Sequence, residues 1–139
     1  MKRTHFGWIF IIIVIIIAGV VIYQGQTQSS SLAVSVIALV LLLLFYKLTI
    51  TVSDDFVKFS LGIGLINGKY KLKDIIRCQP LNYIPFGWGI RFRPGVTIYN
   101  VSGNKAVELE IKGKNRKIWL GSNAPQEIAD YINAELNKN

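Results

Sequence analysis

The stretch LTITVSDDFVKFSL, residues 48–61, alternates apolar and polar side chains on both sides of two consecutive aspartates. An alternation with a period of two is typical of strands that bury one face. If both apolar sets face one core, Val52 must lie opposite Val57, because a shift of one residue would turn every side chain to the other face. The stretch therefore predicts a β-hairpin whose turn contains Asp54 and Asp55, or a turn of the same parity.

The C-terminal region continues this pattern in shorter segments. Alternation in residues 107–111 and 117–120 predicts a second hairpin, in which Leu109 pairs with Ile118. We expect Ile98 to pair with Leu109 from the other side. The outward face of these strands would then carry one row of side chains, formed by Tyr99, Glu108 and Trp119.

An amphipathic helix is predicted at the C-terminus, over about residues 122–136. Ser122 or Asn123 suits the N-cap, and Pro125 suits the first turn. The apolar stripe of this helix consists of Ile128, Ala129, Ile132 and Leu136. Residues 47–139 are therefore expected to form one all-β barrel of about seven antiparallel strands, capped at one end by the helix.

Two uncharged apolar runs precede the first hairpin. They are FGWIFIIIVIIIAGVVIY, residues 6–23, and LAVSVIALVLLLLFY, residues 32–46. A membrane-spanning helix needs roughly 20 apolar residues, and the second run reaches that length only with the serines before it. A cleaved signal peptide is the alternative for the first run, but no small-x-small cleavage pattern follows it. Residues 1–46 therefore predict a transmembrane hairpin, with helices over about residues 6–23 and 29–46.

Basic residues flank the outer ends of these two runs and are missing from the loop between them. Lys2 and Arg3 precede the first run, and Lys47 and Lys58 follow the second. Because positive charge stays on the cytoplasmic side, we expect both termini and the C-terminal domain to be cytoplasmic, with the hairpin integral to the inner membrane. A lone cysteine, Cys78, agrees with a reducing compartment.

Three blocks of the C-terminal part resemble those of a group of bacterial membrane-anchored pleckstrin-homology-like (PH-like) proteins with two N-terminal helices. The blocks are FGWGIR, residues 86–91, YNVSGNKAVELEI, residues 99–111, and IWLGSNAPQEIADYI, residues 118–132. The resemblance covers most of residues 48–132 and implies a PH-like barrel and membrane anchoring. It implies no catalytic residue, because that group has no assigned reaction.

Residue types that support catalysis or metal binding are scarce. His5 is the only histidine and Cys78 the only cysteine, which excludes a Cys/His nucleophile pair or a zinc site within one chain. We expect His5 at the surface, and we interpret Asp54 and Asp55 as turn formers. The glycine-rich residues 62–68 lack the spacing and the following helix of a phosphate-binding loop. The sequence therefore predicts no enzyme, no cofactor and no metal site.

Sixteen basic residues against eight acidic ones give the chain a formal net charge of +8. Beside a predicted membrane hairpin, anionic lipid headgroups are favoured over nucleic acid as the partner of these charges. The headgroup candidates are Lys47, Lys69, Lys71 and Lys73. The last three would otherwise form a solvated edge that resists aggregation. In the PH superfamily, by resemblance, inositol phosphates bind at the first hairpin loop, where Asp54 and Asp55 would repel them.

The segment NYIPFGWGIRFRPG, residues 82–95, is rich in aromatic residues. Its rings must pack on the domain, enter the bilayer interface or meet a partner. A second copy could bring them against the row at Trp119, with Arg91 and Arg93 pairing with glutamates at the rim. The candidates for a partner or oligomer interface are Tyr83, Phe86, Trp88, Arg91, Arg93, Tyr99, Glu108 and Trp119.

These observations predict a membrane-anchored cytoplasmic binding or scaffold module of PH-like fold, an accessory or self-assembling component of a membrane complex. The alternative function is binding of anionic lipid headgroups. The expected partners are the lipid bilayer and either a second copy of the chain or another membrane protein. Nucleic acid is not expected as a partner.

Overall fold

The computed structural model describes residues 1–23, 29–84 and 89–138. Its elements in chain order are β1 (Lys2–Phe6), α1 (Trp8–Tyr23), α2 (Ser29–Phe45), β2 (Lys47–Val52), β3 (Phe56–Leu61), β4 (Ile66–Lys71), a 3-10 helix (Leu72–Asp74), β5 (Ile75–Asn82), β6 (Gly89–Arg93), β7 (Val96–Asn100), β8 (Lys105–Ile111), β9 (Lys117–Gly121) and α3 (Pro125–Lys138). The strands form a first sheet of order β1-β2-β3-β4 and a second sheet of order β5-β8-β9-β7-β6.

The first hairpin has the predicted register. Val52 lies opposite Val57, and the apolar side chains of β2 and β3 are buried while those between them face outward. The first sheet also contains β1, which the sequence analysis placed only as the flank of a helix. β1 pairs with β2 along its whole length, and the amino group of Met1 donates to the Val52 carbonyl at 2.7 Å. The N-terminus is therefore part of the sheet.

The helix pair formed by α1 and α2 is tied to the first sheet at its base. The Gly7 amide donates to the Tyr46 carbonyl at 2.7 Å, and the Ile63 amide donates to the Leu43 carbonyl at 3.1 Å. Gly62 lets the turn after β3 approach α2, because a Cβ at this position would overlap the Leu43 carbonyl oxygen. The base of the helix pair is thus held by main-chain hydrogen bonds at two places, between the residues that follow β1 and α2 and between α2 and the turn after β3, as well as by the chain itself.

No helix within the described residues combines the length and the apolarity that a membrane crossing requires. α1 has 16 residues and α2 has 17, so they are about 24–26 Å long, against a hydrocarbon core of about 30 Å. The first helix is shorter than expected because Phe6 belongs to β1. The predicted transmembrane hairpin is therefore wrong, and the integral inner-membrane location with cytoplasmic termini loses its support. Residues 24–28 of the predicted connecting loop lie outside the described residues.

The predicted single barrel is also wrong, because the strands divide into sheets of four and five. Leu109 pairs with Ile118 as predicted, but its other neighbour is Cys78 on β5. Ile98 consequently does not pair with Leu109, and β7 runs parallel to β9 instead. The alternation of apolar and polar side chains predicts which face of each strand is buried. It carries no information about which other strand is the neighbour of that strand.

The core lies between the two sheets and α3. Its largest fully buried side chains include Leu48, Phe59, Leu61, Leu72, Leu109, Leu120, Ile128 and Ile132. α3 packs on β5 and β8 through the predicted stripe, of which Leu136 is only partly buried. Burying one such side chain contributes about 1.5–3 kcal/mol. The predicted C-terminal helix is therefore present and closes one side of this core.

We expect Gly62→Ala to destabilise the protein more than Gly113→Ala. Both glycines have positive φ, +53° and +77°, so both variants carry the left-handed strain of about 1–2 kcal/mol. Only the Cβ at position 62 overlaps a neighbouring backbone, which adds about 1–3 kcal/mol. Chemical denaturation of both variants measures the difference. Equal losses in the free energy of unfolding would contradict a close approach of this turn to α2.

Candidate anion-binding face

Side chains of the first sheet that point away from the core form a basic surface. The strand register places Lys2 opposite Thr51, Thr51 opposite Lys58, and Lys58 opposite Lys69. Paired residues in antiparallel strands project on the same side, so these four side chains form one row across all four strands. Lys47 and Lys71 flank the row on the same side. We call this surface, with Lys2, Lys47, Lys58, Lys69 and Lys71, the lysine face.

Acidic side chains are missing from the lysine face. Its remaining positions on β1–β4, all within the described residues, are Thr4, Phe6, Thr49, Thr51, Phe56, Ser60 and Asn67. Four hydroxyls, those of Thr4, Thr49, Thr51 and Ser60, lie beside the ammonium groups, and those of Thr4 and Thr49 are 3.3 Å apart and hydrogen-bonded to each other. The lysine face therefore suits binding of an anion, because every charged group on it is positive.

One contact on the lysine face is electrostatically unfavourable for the chain alone. Lys58 and Lys69 occupy directly opposite positions on β3 and β4, where like charges repel. Lys69 is held there, since its ammonium lies 3.8 Å from the centroid of the Phe56 ring. An anion placed between the two ammonium groups would turn the repulsion into two attractions.

Two concave regions adjoin this surface. A groove of about 470 Å³ runs from Lys2 and Lys58 to Tyr46 and Ile63 at the base of the helix pair, and no carboxylate lines it. A second concavity, of about 660 Å³, brings together three predicted headgroup residues and two carboxylates, namely Lys69, Lys71, Lys73, Asp54 and Asp55. The first groove is therefore the better place for a polyanion, because the aspartates oppose one in the second.

Glu108 and Trp119 face each other as predicted, but both are engaged within the chain. The carboxylate of Glu108 accepts hydrogen bonds from Trp119 Nε1 at 2.7 Å, Gln79 Nε2 at 2.9 Å and Lys117 Nζ at 3.1 Å. The ring of Tyr83 packs on Trp119, with centroids 5.3 Å apart. Burial raises the pKa of Glu108, but the hydrogen bonds and the charge of Lys117 outweigh it, so the pKa lies below its ordinary value.

Of the other predicted partner residues, the two arginines lie near Trp119 and Tyr83, whereas Tyr99 lies elsewhere. Tyr99 is not beside Glu108; its ring packs on Phe59, with centroids 4.4 Å apart. Arg93 donates to the Ile84 carbonyl at 3.1 Å, while Arg91 is exposed near Tyr83 and Asn100. Phe86 and Trp88 lie outside the described residues. Arg91 lies opposite Ile98, which in turn pairs with Trp119, so Arg91 belongs to the same cross-strand row as Trp119 and Glu108. Tyr83 lines one cavity with Arg91 and Arg93. The structure therefore brings these five residues together on one side of the second sheet and separates Tyr99 from them, while their role in a partner interface stays a prediction.

Sequence reasoning missed the environment of several polar residues. His5 is buried rather than exposed, with Nε2 at 2.9 Å from both the carbonyl oxygen and the Oγ of Ser102. Lys2 and Lys58 entered the sequence analysis only as flanking charges, although the alternation in residues 48–61 already put Lys58 on the outward side. Cys78 is buried, and burial, with a smaller effect of Asp130, raises the pKa of its thiol to about 12.

We expect Glu108→Gln to lower the free energy of unfolding by about 2 kcal/mol at pH 7, because charge-assisted hydrogen bonds are lost at a buried site. Glu110→Gln is the control, and should change stability by less than about 0.5 kcal/mol. The folded-state pKa of Glu108 is lowered, so its contribution is complete above the unfolded value and disappears as the pH falls through the folded value.

Urea denaturation of the wild type and Glu108→Gln at several pH values measures this contribution. The difference between the two proteins should be largest near neutral pH and should shrink as the pH falls below 4.5, the ordinary value of a glutamate. A difference that stays constant down to pH values of about 2–3 would show that ionisation of Glu108 is not what stabilises the fold.

Comparisons with protein-family models, with curated proteins and with solved structures yield no match. The resemblance to membrane-anchored PH-like proteins therefore stays a prediction.

Proposed function

We propose that this protein is a binding module whose lysine face docks on anionic lipid headgroups. The observation that carries the proposal is the row Lys2, Thr51, Lys58 and Lys69, in which three ammonium groups share one side of a sheet with no carboxylate among them. Lipid headgroups present phosphates in a plane, and a sheet face presents its lysines in a plane. The proposed role is binding rather than catalysis.

The magnitudes indicate that charge and apolar contacts act together in this docking. Each lysine close to an anionic leaflet contributes about 1 kcal/mol, so five of them supply about 5 kcal/mol, which corresponds to a dissociation constant of about 0.2 mM. Exposed apolar side chains adjoin the lysine face at the base of the helix pair: Ile63 lines the groove, and Phe6 lies opposite Lys47 with the ring of Trp8 at 6.1 Å from its own. Burying them at the boundary of headgroups and acyl chains would strengthen the binding.

A lipid surface suits the lysine face better than nucleic acid does. Binding of single-stranded nucleic acid relies on exposed aromatic rings that stack on bases, and duplex recognition relies strongly on arginine. The two aromatic rings on the face are those of Phe6 and Phe56, and Lys69 already covers the second. The lysine face has no arginine on its outward positions.

We expect Lys58→Glu to weaken binding to anionic vesicles about tenfold while raising the free energy of unfolding by about 0.5 kcal/mol. Vesicle binding weakens because the substitution removes a contact with an anion. Stability rises because the repulsion between Lys58 and Lys69 becomes an attraction. Vesicle flotation of the full chain measures binding, and urea denaturation measures stability. Binding should weaken with salt, because exposed charges are screened within about 10 Å at 0.1 M.

Lys112→Glu is the matched control, since Lys112 is exposed but lies at the end of β8, away from the lysine face. It makes the same change in net charge and should retain most of the binding. An equal loss of vesicle binding in the two variants would show that binding depends on net charge alone and not on the lysine face. Equal binding to neutral and anionic vesicles would contradict headgroup recognition.

Self-assembly through the helix pair is a second candidate function, favoured by a separate observation. α1 and α2 carry no charged residue, and many of their apolar side chains are exposed in the single chain, among them Ile12, Ile15, Ile16, Val36, Ile37 and Leu39. Exposed apolar surface of this extent marks an interaction site. A second copy could cover it by packing its own helix pair against this one, which would make the protein a scaffold.

We expect Ile15→Gln to weaken such an assembly about tenfold, because one buried isoleucine contributes about 1.5–3 kcal/mol. Ile76→Gln is the control, because Ile76 on β5 is exposed to nearly the same degree, 62% against 64% for Ile15. Sedimentation in a mild non-ionic detergent measures the oligomer size. A monomeric wild type, or an equal effect of both variants, would count against assembly through these helices.

A further inference from the structure

A pocket of about 360 Å³ opens at the seam between the two sheets, on the inward side of β4. Its walls come from Tyr70 on β4, from Thr97 and Tyr99 on β7, and from Ile118 on β9, with residues 114–116 of the β8–β9 turn at its rim. The volume falls within the range of about 300–1,000 Å³ that is typical of small-molecule sites. The pocket faces away from the lysine face and is independent of the function proposed above.

The aromatic walls of this seam pocket are held by a buried ring. The centroid of Phe59, a residue with 1% exposure, lies 4.4 Å from that of Tyr99 and 6.3 Å from that of Tyr70. Phe59 has room only because residue 68 is glycine, since a Cβ there would overlap its ring. The two tyrosine rings are therefore preorganised, and a ligand would not need to order them.

The rim of the seam pocket carries positive charge. The ammonium of Lys114 lies 4.7 Å from the centroid of the Tyr70 ring. Arg116 is fixed by neutral acceptors, with Nε donating to Thr97 Oγ1 at 3.2 Å and Nη2 donating to the Arg93 and Val96 carbonyls at 2.7 Å. Throughout residues 1–23, 29–84 and 89–138, neither cation is within ion-pair distance of a carboxylate. The rim can therefore receive an anion.

The phenols of the walls add hydrogen-bond donors. Burial, and then the neighbouring Tyr99, raise the pKa of Tyr70 above its ordinary value of 10.0. The Tyr70 phenol is consequently protonated at neutral pH and can donate to an oxygen of a ligand. Apolar surface, a phenol and two cations thus converge on one space.

We propose that the seam pocket binds a small molecule that joins one anionic group, a carboxylate or a phosphate, to an apolar or aromatic body of about one or two rings. The body lies between the rings of Tyr70 and Tyr99 and against Ile118. The anionic group reaches Lys114 and the fixed guanidinium of Arg116. A neutral molecule of the same shape leaves both cations without a counter-charge and binds more weakly.

The experiment titrates the full chain with 2-naphthoate, 2-naphthyl phosphate and the neutral 2-naphthylmethanol. NMR signals of the Ile118 and Thr97 methyl groups report on the pocket itself, which separates it from adsorption of aromatic molecules to the helix pair. We expect saturable shifts, with at least one anionic probe binding about tenfold more tightly than the neutral one. Whichever of the two anions binds more tightly identifies the acidic group that the site prefers.

Two variants of the β8–β9 hairpin test the role of the rim. Lys114→Gln should weaken binding of the anionic probe about tenfold and leave the neutral probe unchanged. Lys112→Gln, two residues away, exposed and outside the pocket, should change neither. The absence of saturable shifts at Ile118, equal affinities for charged and neutral probes, or equal effects of the two variants would overturn the proposal.

Discussion

Pairing of β2 on both of its sides is the constraint on which the rest of the structure depends. β3 pairs with it through a tight hairpin, and β1 pairs with it after the chain has passed through the helix pair. This double pairing fixes the parity of β2, which buries Leu48, Ile50 and Val52 and turns the residues between them outward. It also brings the two ends of the helix pair onto neighbouring strands, so α1 and α2 leave the sheet side by side.

The same parity divides the first sheet into an inner side that buries apolar side chains and an outer side that carries the lysine face. Apolar burial on the inner side offsets the conformational entropy of ordering the strands, at about 1–2 kcal/mol per residue for the backbone. Repulsion between Lys58 and Lys69 costs only a few tenths of a kcal/mol to about 1 kcal/mol, which a core of this kind can tolerate. An uncharged residue at either position would remove this repulsion between like charges. An unfavourable local contact of this kind is typical of a functional surface.

Polar groups that support the fold and polar groups that are candidates for binding differ in the hydrogen bonds and ion pairs that they make within the chain. Glu108 has three donors around its carboxylate, so it contributes to the fold. Within the described residues, Lys58 and Lys114 pair with no carboxylate. Trp119 and Glu108, which the sequence analysis assigned to a partner interface, already have partners within the chain.

Alternation of side chains predicted those parts of the fold that depend on neighbours in sequence. Val52 lies opposite Val57, Leu109 lies opposite Ile118, and the C-terminal helix buries three of the four residues of the expected stripe. These features could be predicted because a short turn leaves one pairing that buries both apolar sets.

Tertiary structure alone decided which strands are neighbours at long range. The parallel pairing of β7 with β9, the pairing of β5 with β8 and the addition of β1 to the first sheet join segments that share no turn. Tertiary structure also set the start of α1 at Trp8 and assembled both the lysine row and the seam pocket. Periodicity in a sequence determines which face of a strand is buried, whereas the partner of that strand depends on packing between distant segments, which leaves no local signature.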